Sequence, residues 1–123
     1  MLLPTINKLR GLLHLGFIGD VDPPQILRAV ADLPDLLSDL PAGFVLLVDL
    51  ERLGTMTKEC APAIGQLMEL FDQKGVRQVI RVIPDKSKDI GFQVLYLLHY
   101  KNPPPLVICE NMAQACDLLE SLE

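Results

Sequence analysis

At 123 residues, of which 50% are hydrophobic and 22% charged, the chain has the size of a single domain, 1–123, and is too apolar for disorder. Eleven basic against sixteen acidic residues leave a net charge of −5, which works against a phosphate backbone or an anionic membrane surface and so excludes nucleic acid as the expected partner. No stretch approaches the ~20 apolar residues of a membrane span, and Met1-Leu2-Leu3-Pro4 lacks the positive flank of a leader, so no direct membrane insertion is expected and the reading is cytoplasmic.

Leu12 to Ile18 is rich in Leu, Phe and Ile and runs into Gly19-Asp20-Val21-Asp22-Pro23-Pro24, which predicts a strand closed by a turn. Thr5 to Arg10 would add a short edge strand before it. Asp22 is placed to cap the following helix and Pro23 suits its first position, with Ile26, Leu27, Val30 and Leu33 at helical spacing. Pro34 should kink that helix or break it into a second short turn over Asp35 to Leu40. Phe44 to Leu50 is an apolar run without alternation, the pattern of a strand covered on both faces inside a mostly parallel sheet. A helix beginning between Thr57 and Pro62 would present Ala61, Ile64, Leu67, Met68 and Phe71 to the core and end at Gly75. Val76 to Ile83 predicts the next strand, with Val79, Ile80, Val82 and Ile83 buried. Ser87 or Asp89 would start a helix carrying Ile90, Val94, Leu97 and Leu98 inward. After Asn102 and the prolines 103–105, Leu106 to Cys109 predicts a strand. The closing helix would carry Met112, Ala115, Cys116, Leu119 and Leu122 inward, with Asn111 and Gln114 resembling a capping box. Repeated strand-then-helix units imply an α/β fold with a mostly parallel sheet of four to five strands and about four helices.

The chemistry-bearing residues form no catalytic or metal constellation in the sequence. His14 and His99 are far apart, and neither has a ligand-spaced partner on its own element. Cys60, Cys109 and Cys116 cannot pair completely and show no CxxC spacing, so buried reduced thiols are the expectation. Cys60 is the one cysteine near a predicted helix start, where a thiol can be acidified, although packing explains a small apolar residue there equally well. Gly11, Gly16 and Gly19 are spaced wrongly for a dinucleotide loop, and no GK[ST] occurs, so no cofactor is expected and the chain reads as a non-enzyme. Asp20 and Asp22 read as turn and cap residues rather than cation ligands, and Pro103 to Pro105 as a rigid spacer.

The order of elements resembles the STAS domain, the module named for sulfate transporters and anti-sigma factor antagonists. The resemblance is carried by Val45-Leu46-Leu47-Val48-Asp49-Leu50 with the helix of Ala61, Ile64 and Leu67, by Gly75-Val76-Arg77-Gln78-Val79-Ile80, and by Glu110-Asn111-Met112-Ala113-Gln114-Ala115. It covers roughly Leu12 to Leu122 and rests on pattern, not on an invariant motif. In phosphorylatable STAS domains the loop after the central strand ends in an Asp-Ser pair, and the serine receives a phosphate from a partner kinase. Thr57 and Lys58 stand at those positions here, so the resemblance implies a module without the usual serine switch, with Thr55 or Thr57 as the residues that could replace it.

These readings converge on a non-catalytic regulatory or scaffold module that binds a protein partner, with a homodimer also possible. The expected contact surface is the loop Leu53 to Glu59, with Thr55, Met56, Thr57, Lys58 and Glu59, together with Asp20 and Asp22 of the turn Gly19 to Pro24. Both lie where α/β sheets build sites, at the carboxyl ends of strands. Met56 has two readings, a partner contact or a plug over the core. The alternative function is binding or transport of a small hydrophobic or lipid-like ligand, suggested by the aliphatic composition and by lipid-transport relatives of the STAS fold.

Overall fold

The computed structural model describes residues 1–85 and 90–122, and of Ile90 the backbone only. Five strands, β1 (Leu2–Asn7), β2 (Leu12–Val21), β3 (Val45–Met56), β4 (Gln78–Val82) and β5 (Leu106–Cys109), lie side by side in chain order. The first pair is antiparallel and every later pair parallel. Four helices, α1 (Pro23–Leu37), α2 (Ala61–Lys74), α3 (Ile90–His99) and α4 (Met112–Ser121), follow β2 to β5 in turn. The sheet is therefore mixed and mostly parallel within an α/β fold, as the alternation of apolar runs and amphipathic segments implies.

Successive crossovers of one hand, each stepping to the next strand, put their helices on one face of the sheet. Ile26, Leu33 and Leu37 of α1, Ile64, Leu67 and Phe71 of α2, and Phe92 and Tyr96 of α3 join Leu13, Leu15, Phe17, Leu46, Val48 and Val79 in the main core. No crossover follows β5, and α4 folds onto the opposite face. There Ala115 and Leu119 pack on Val45, Leu47, Ile80, Val82 and Cys109.

Several sequence-based expectations give way to the packing. Pro34 does not break α1, which runs through it to Leu37. It lies exposed in the last turns, where its missing amide removes only the bond to the Val30 carbonyl, while Leu33 and Leu37 continue the buried stripe. Leu27 is exposed, its expected inward place being taken by Ala29. The edge strand is Leu2–Asn7 rather than Thr5 to Arg10. In α3 the expected inward residues Val94, Leu97 and Leu98 are 51%, 64% and 72% exposed, and Phe92, Tyr96 and the following Tyr100 face the core instead. The starts proposed at Ser87 and Asp89 lie outside the described residues. Cys116 is exposed, against the expectation of a buried thiol, whereas Cys60 and Cys109 are buried. Asn111 does cap α4, accepting from the Gln114 amide, but Gln114 returns its bond to the Glu110 amide rather than to the cap itself.

Among the described residues, one charged side chain lies in the interior. Arg81, near the end of β4, is 2% exposed, and its guanidinium sits 5.4 Å from the centroid of the Phe92 ring. Burial pushes the Tyr100 phenol well above its ordinary value, with the nearby Arg81 opposing the shift. Tyr96 donates its hydroxyl to the Pro104 carbonyl, which ties α3 to the segment leading into β5.

The contact between α2 and α3 rests on a glycine. A Cβ at Gly65 would meet the His99 ring well inside van der Waals contact, and that ring is held by Glu69, with Nδ1 2.6 Å from the carboxylate. Gly65→Ala should therefore cost about 1–3 kcal/mol by forcing the helices apart or breaking the His99–Glu69 pair. Denaturant unfolding of Gly65→Ala, His99→Ala and the double variant checks this, because removal of the ring should relieve most of the cost. A second expectation concerns the thiols. Burial pushes the Cys60 and Cys109 thiols up, so iodoacetamide on the native protein should label Cys116 first and the other two only on unfolding, as read by peptide mass spectrometry.

Candidate functional site at the carboxyl ends of β2 and β3

The two strands that carry the expected contact residues are longer than the sequence implies. The register pairs Asp20 with Thr55 and Val21 with Met56, so Leu53 to Met56 is strand rather than loop, and the strand also takes in Gly19 to Val21 of the expected turn. The pairing slips by a residue between Gly19 and Asp20, and Gly19 supplies the positive φ of 65° found at that slip. Opposite it, a Cβ on Gly54 would lie 3.2 Å from the Gly19 carbonyl oxygen and 3.3 Å from Asp20 Oδ1. The close approach of the two strands at this point thus depends on glycine at both positions.

That approach brings Asp20 and Thr55 together. The Thr55 hydroxyl donates to Asp20 Oδ1 at 2.6 Å, a short charge-assisted bond across the strand pair. Asp22 is engaged differently: its carboxylate accepts from the Gln25 amide at 3.0 Å and caps α1, as the sequence expectation has it. Met56 is half-buried and packs on the main core with part of its side chain, as a plug over the core would.

Thr57 leaves β3 with extended backbone and opens a 3₁₀ turn, Lys58–Cys60, that leads straight into α2. Cys60 anchors the turn. Its amide donates to the Thr57 carbonyl, and its thiol, 1% exposed, lies 3.6 Å from the Val21 carbonyl. The thiol is pushed up, mainly by burial, so the position at a helix start does not acidify it. Lys58 and Glu59 point to solvent. The Glu59 amide, and then the Thr57 hydroxyl, hold the Glu59 carboxyl below its ordinary value.

Asp20, Thr55, Thr57, Lys58 and Glu59 consequently share one end of the sheet, with Asp22 beside them at the start of α1. Glu51, Gly54, Ile83, Pro84 and Phe92 are not named as site residues from the sequence, yet they line a cleft of about 640 Å³ next to this end. A strand running past the end of its neighbour creates such a cleft, and no local pattern in either strand announces the difference in length. Among the described residues, no group of three or more His, Cys, Asp or Glu side chains could hold a metal ion, and no helix is long and apolar enough to cross a membrane.

No protein-family model matches the chain, and no curated protein matches it. Solved structures do. The anti-sigma factor antagonist SpoIIAA in its unphosphorylated form aligns with a TM-score of 0.67 at 14% identity, covering 98% of each chain. An uncharacterized protein from the DUF3478 family with a SpoIIAA-like fold, from Shewanella loihica PV-4, aligns with a TM-score of 0.69 at 14% identity, over 97% of this chain and 92% of that one. The Bacillus cell fate determinant SpoIIAA in its phosphorylated form gives 0.63 at 16% identity, over 97% and 99%. At such identities the likeness is one of architecture, and the chain has a SpoIIAA-like, STAS-type fold over nearly its whole length.

Proposed function

We propose that the chain is a non-catalytic regulatory or scaffold module that binds a protein partner through the end of the sheet bearing Asp20, Asp22 and Thr55 to Glu59. The observation that carries this reading is the rigid presentation of the Lys58–Cys60 turn. It is clamped below by Cys60 against β2 and flanked by the Asp20–Thr55 bond, so its exposed side chains meet a partner at little ordering cost. The fold likeness supports the same reading, since one of the matched structures is an anti-sigma factor antagonist.

The same geometry supports a module that does not switch by phosphorylation at this turn. Matched structures are of SpoIIAA in unphosphorylated and phosphorylated forms, and the resemblance to phosphorylatable STAS domains implies a serine where this chain has Lys58. Thr55 gives its hydroxyl to the Asp20 carboxylate, and the Thr57 hydroxyl helps hold the nearby Glu59 carboxyl below its ordinary value. A phosphate on either threonine would set a near-dianion beside a carboxylate, and on Thr55 it would also break the bond to Asp20. For the hydrophobic-ligand alternative the interior offers little: the cavity between the sheet, α2 and Phe92 measures about 30 Å³, room for about one water molecule.

Two outcomes follow. Incubation with ATP and a native lysate should leave Thr55 and Thr57 unmodified by mass spectrometry, and stoichiometric phosphate on either would restore a switch. Lys58→Glu should deplete the partner captured in a pull-down from native lysate while shifting stability by no more than about 0.5 kcal/mol, as expected for an exposed substitution. An unchanged partner set with a folded variant would remove Lys58, and with it the main support for this surface.

A further inference from the structure

β4 ends at Val82, level with Asp49 of β3, and the Ile83 amide is already given to the Cys109 carbonyl of β5. Pro84, which has no amide to donate, follows at once. β3 runs on to Met56, held on one side by β2 through Ile18, Gly19, Asp20 and Val21. Among the described residues no strand pairs with its other side. The Glu51 amide is taken by the Asp49 carboxylate at 3.0 Å, so among the described residues the stretch of that edge open to a new strand is Leu53 to Met56. The cleft of about 640 Å³ lies along this edge, with Glu51, Leu53 and Met56 on the β3 side and Ile83, Asp85 and Phe92 on the other. Its volume falls within the range of about 300–1,000 Å³ usual for ligand sites.

We propose that this cleft receives an extended segment of the partner protein, added as a further strand on the free edge of β3. A strand edge offers hydrogen bonds to an extended backbone and none to a helix, and the apolar walls suit alternate side chains of such a segment. Charge selects its composition. Among the described residues on the β3 side of the cleft the charged one is Glu51, exposed and acidic, on a chain of net charge −5, so the fitting segment interleaves apolar residues with Arg or Lys. The same charges disfavour an anionic lipid headgroup. This inference rests on the partner-binding reading above and assigns it a second contact and a mode of recognition.

The test is selection of phage-displayed random dodecapeptides on the full chain, followed by titration of the enriched peptide into ¹⁵N-labelled protein. The expected peptides alternate apolar residues and carry Arg or Lys. Their amide shifts should concentrate on residues 50–56 and 83–85, with Leu53 to Thr55 gaining protection from hydrogen exchange. Glu51→Lys, confirmed folded by its own spectrum, should weaken binding on the order of tenfold, the size of one charge-assisted contact, and replacing the peptide's Arg or Lys by Glu should restore it. Failure to enrich any peptide, enrichment of peptides that bind as helices, or shifts confined to Thr57–Glu59 or to α3 would overturn the strand-addition proposal. The partner-binding reading is judged separately by the Lys58→Glu pull-down, so a partner captured there while the peptides fail here would separate the two.

Discussion

A strand hydrogen-bonded along both edges and buried on both faces has no surface left for water, and Val45 to Val48 of β3 is in that position. Each of these side chains contributes roughly 1.5–3 kcal/mol on full burial, as an upper range, but only if layers exist above and below it. α1 and α2 supply one layer and α4 the other. Removal of either layer would expose one alternating set of side chains, Leu46 and Val48 or Val45 and Leu47. The site at the end of β3 inherits its rigidity from this burial, because the strand that presents Thr55 and Met56 is fixed a few residues earlier.

Arg81 is the main exception to an aliphatic interior. A guanidinium taken out of water is costly unless it is compensated, and here the face of Phe92 lies over it while Tyr96 and Tyr100 close the same region. The compensation depends on α3, whose inward residues are aromatic where α1 and α2 use mostly aliphatic ones. The outward apolar residues Val94, Leu97 and Leu98 then follow from geometry: once Phe92, Tyr96 and Tyr100 occupy the inward face, a helix with almost no polar residues must show its remaining apolar ones to solvent.

That helix also marks the limit of what the sequence discloses. Strands at Leu12, Phe44, Val76 and Leu106 are legible because each is a short apolar run between breakers, and the caps at Asp22 and Asn111 because a carboxylate or amide precedes a helical stripe. In Ile90–His99 nearly every position is apolar, so periodicity does not single out an inward face, and residue size decides it only in three dimensions. Arg81 was invisible for the opposite reason: an arginine in a strand reads as the solvent side of an alternation, and nothing local indicates that an aromatic ring from a later helix will cover it. At the candidate site, the strand ends suggest Asp20, Thr55 and Lys58 as neighbours, but the slip between Gly19 and Asp20, which makes the Asp20–Thr55 bond, is a property of two strands in register and not of either alone.

The strand order, identical to the order of synthesis, has a consequence for how the chain is made. Each strand emerging from a ribosome finds its only upstream neighbour already present at the growing edge, and none must be threaded between two earlier ones. The two faces, however, are not completed together. The α1–α2 side closes as the sheet grows, while Val45, Leu47, Ile80 and Val82 wait for Ala115 and Leu119 of α4, which follows the fifth strand. Until α4 is made, the nascent domain therefore carries a bare aliphatic sheet face, and that helix is the element that conceals it from other nascent chains.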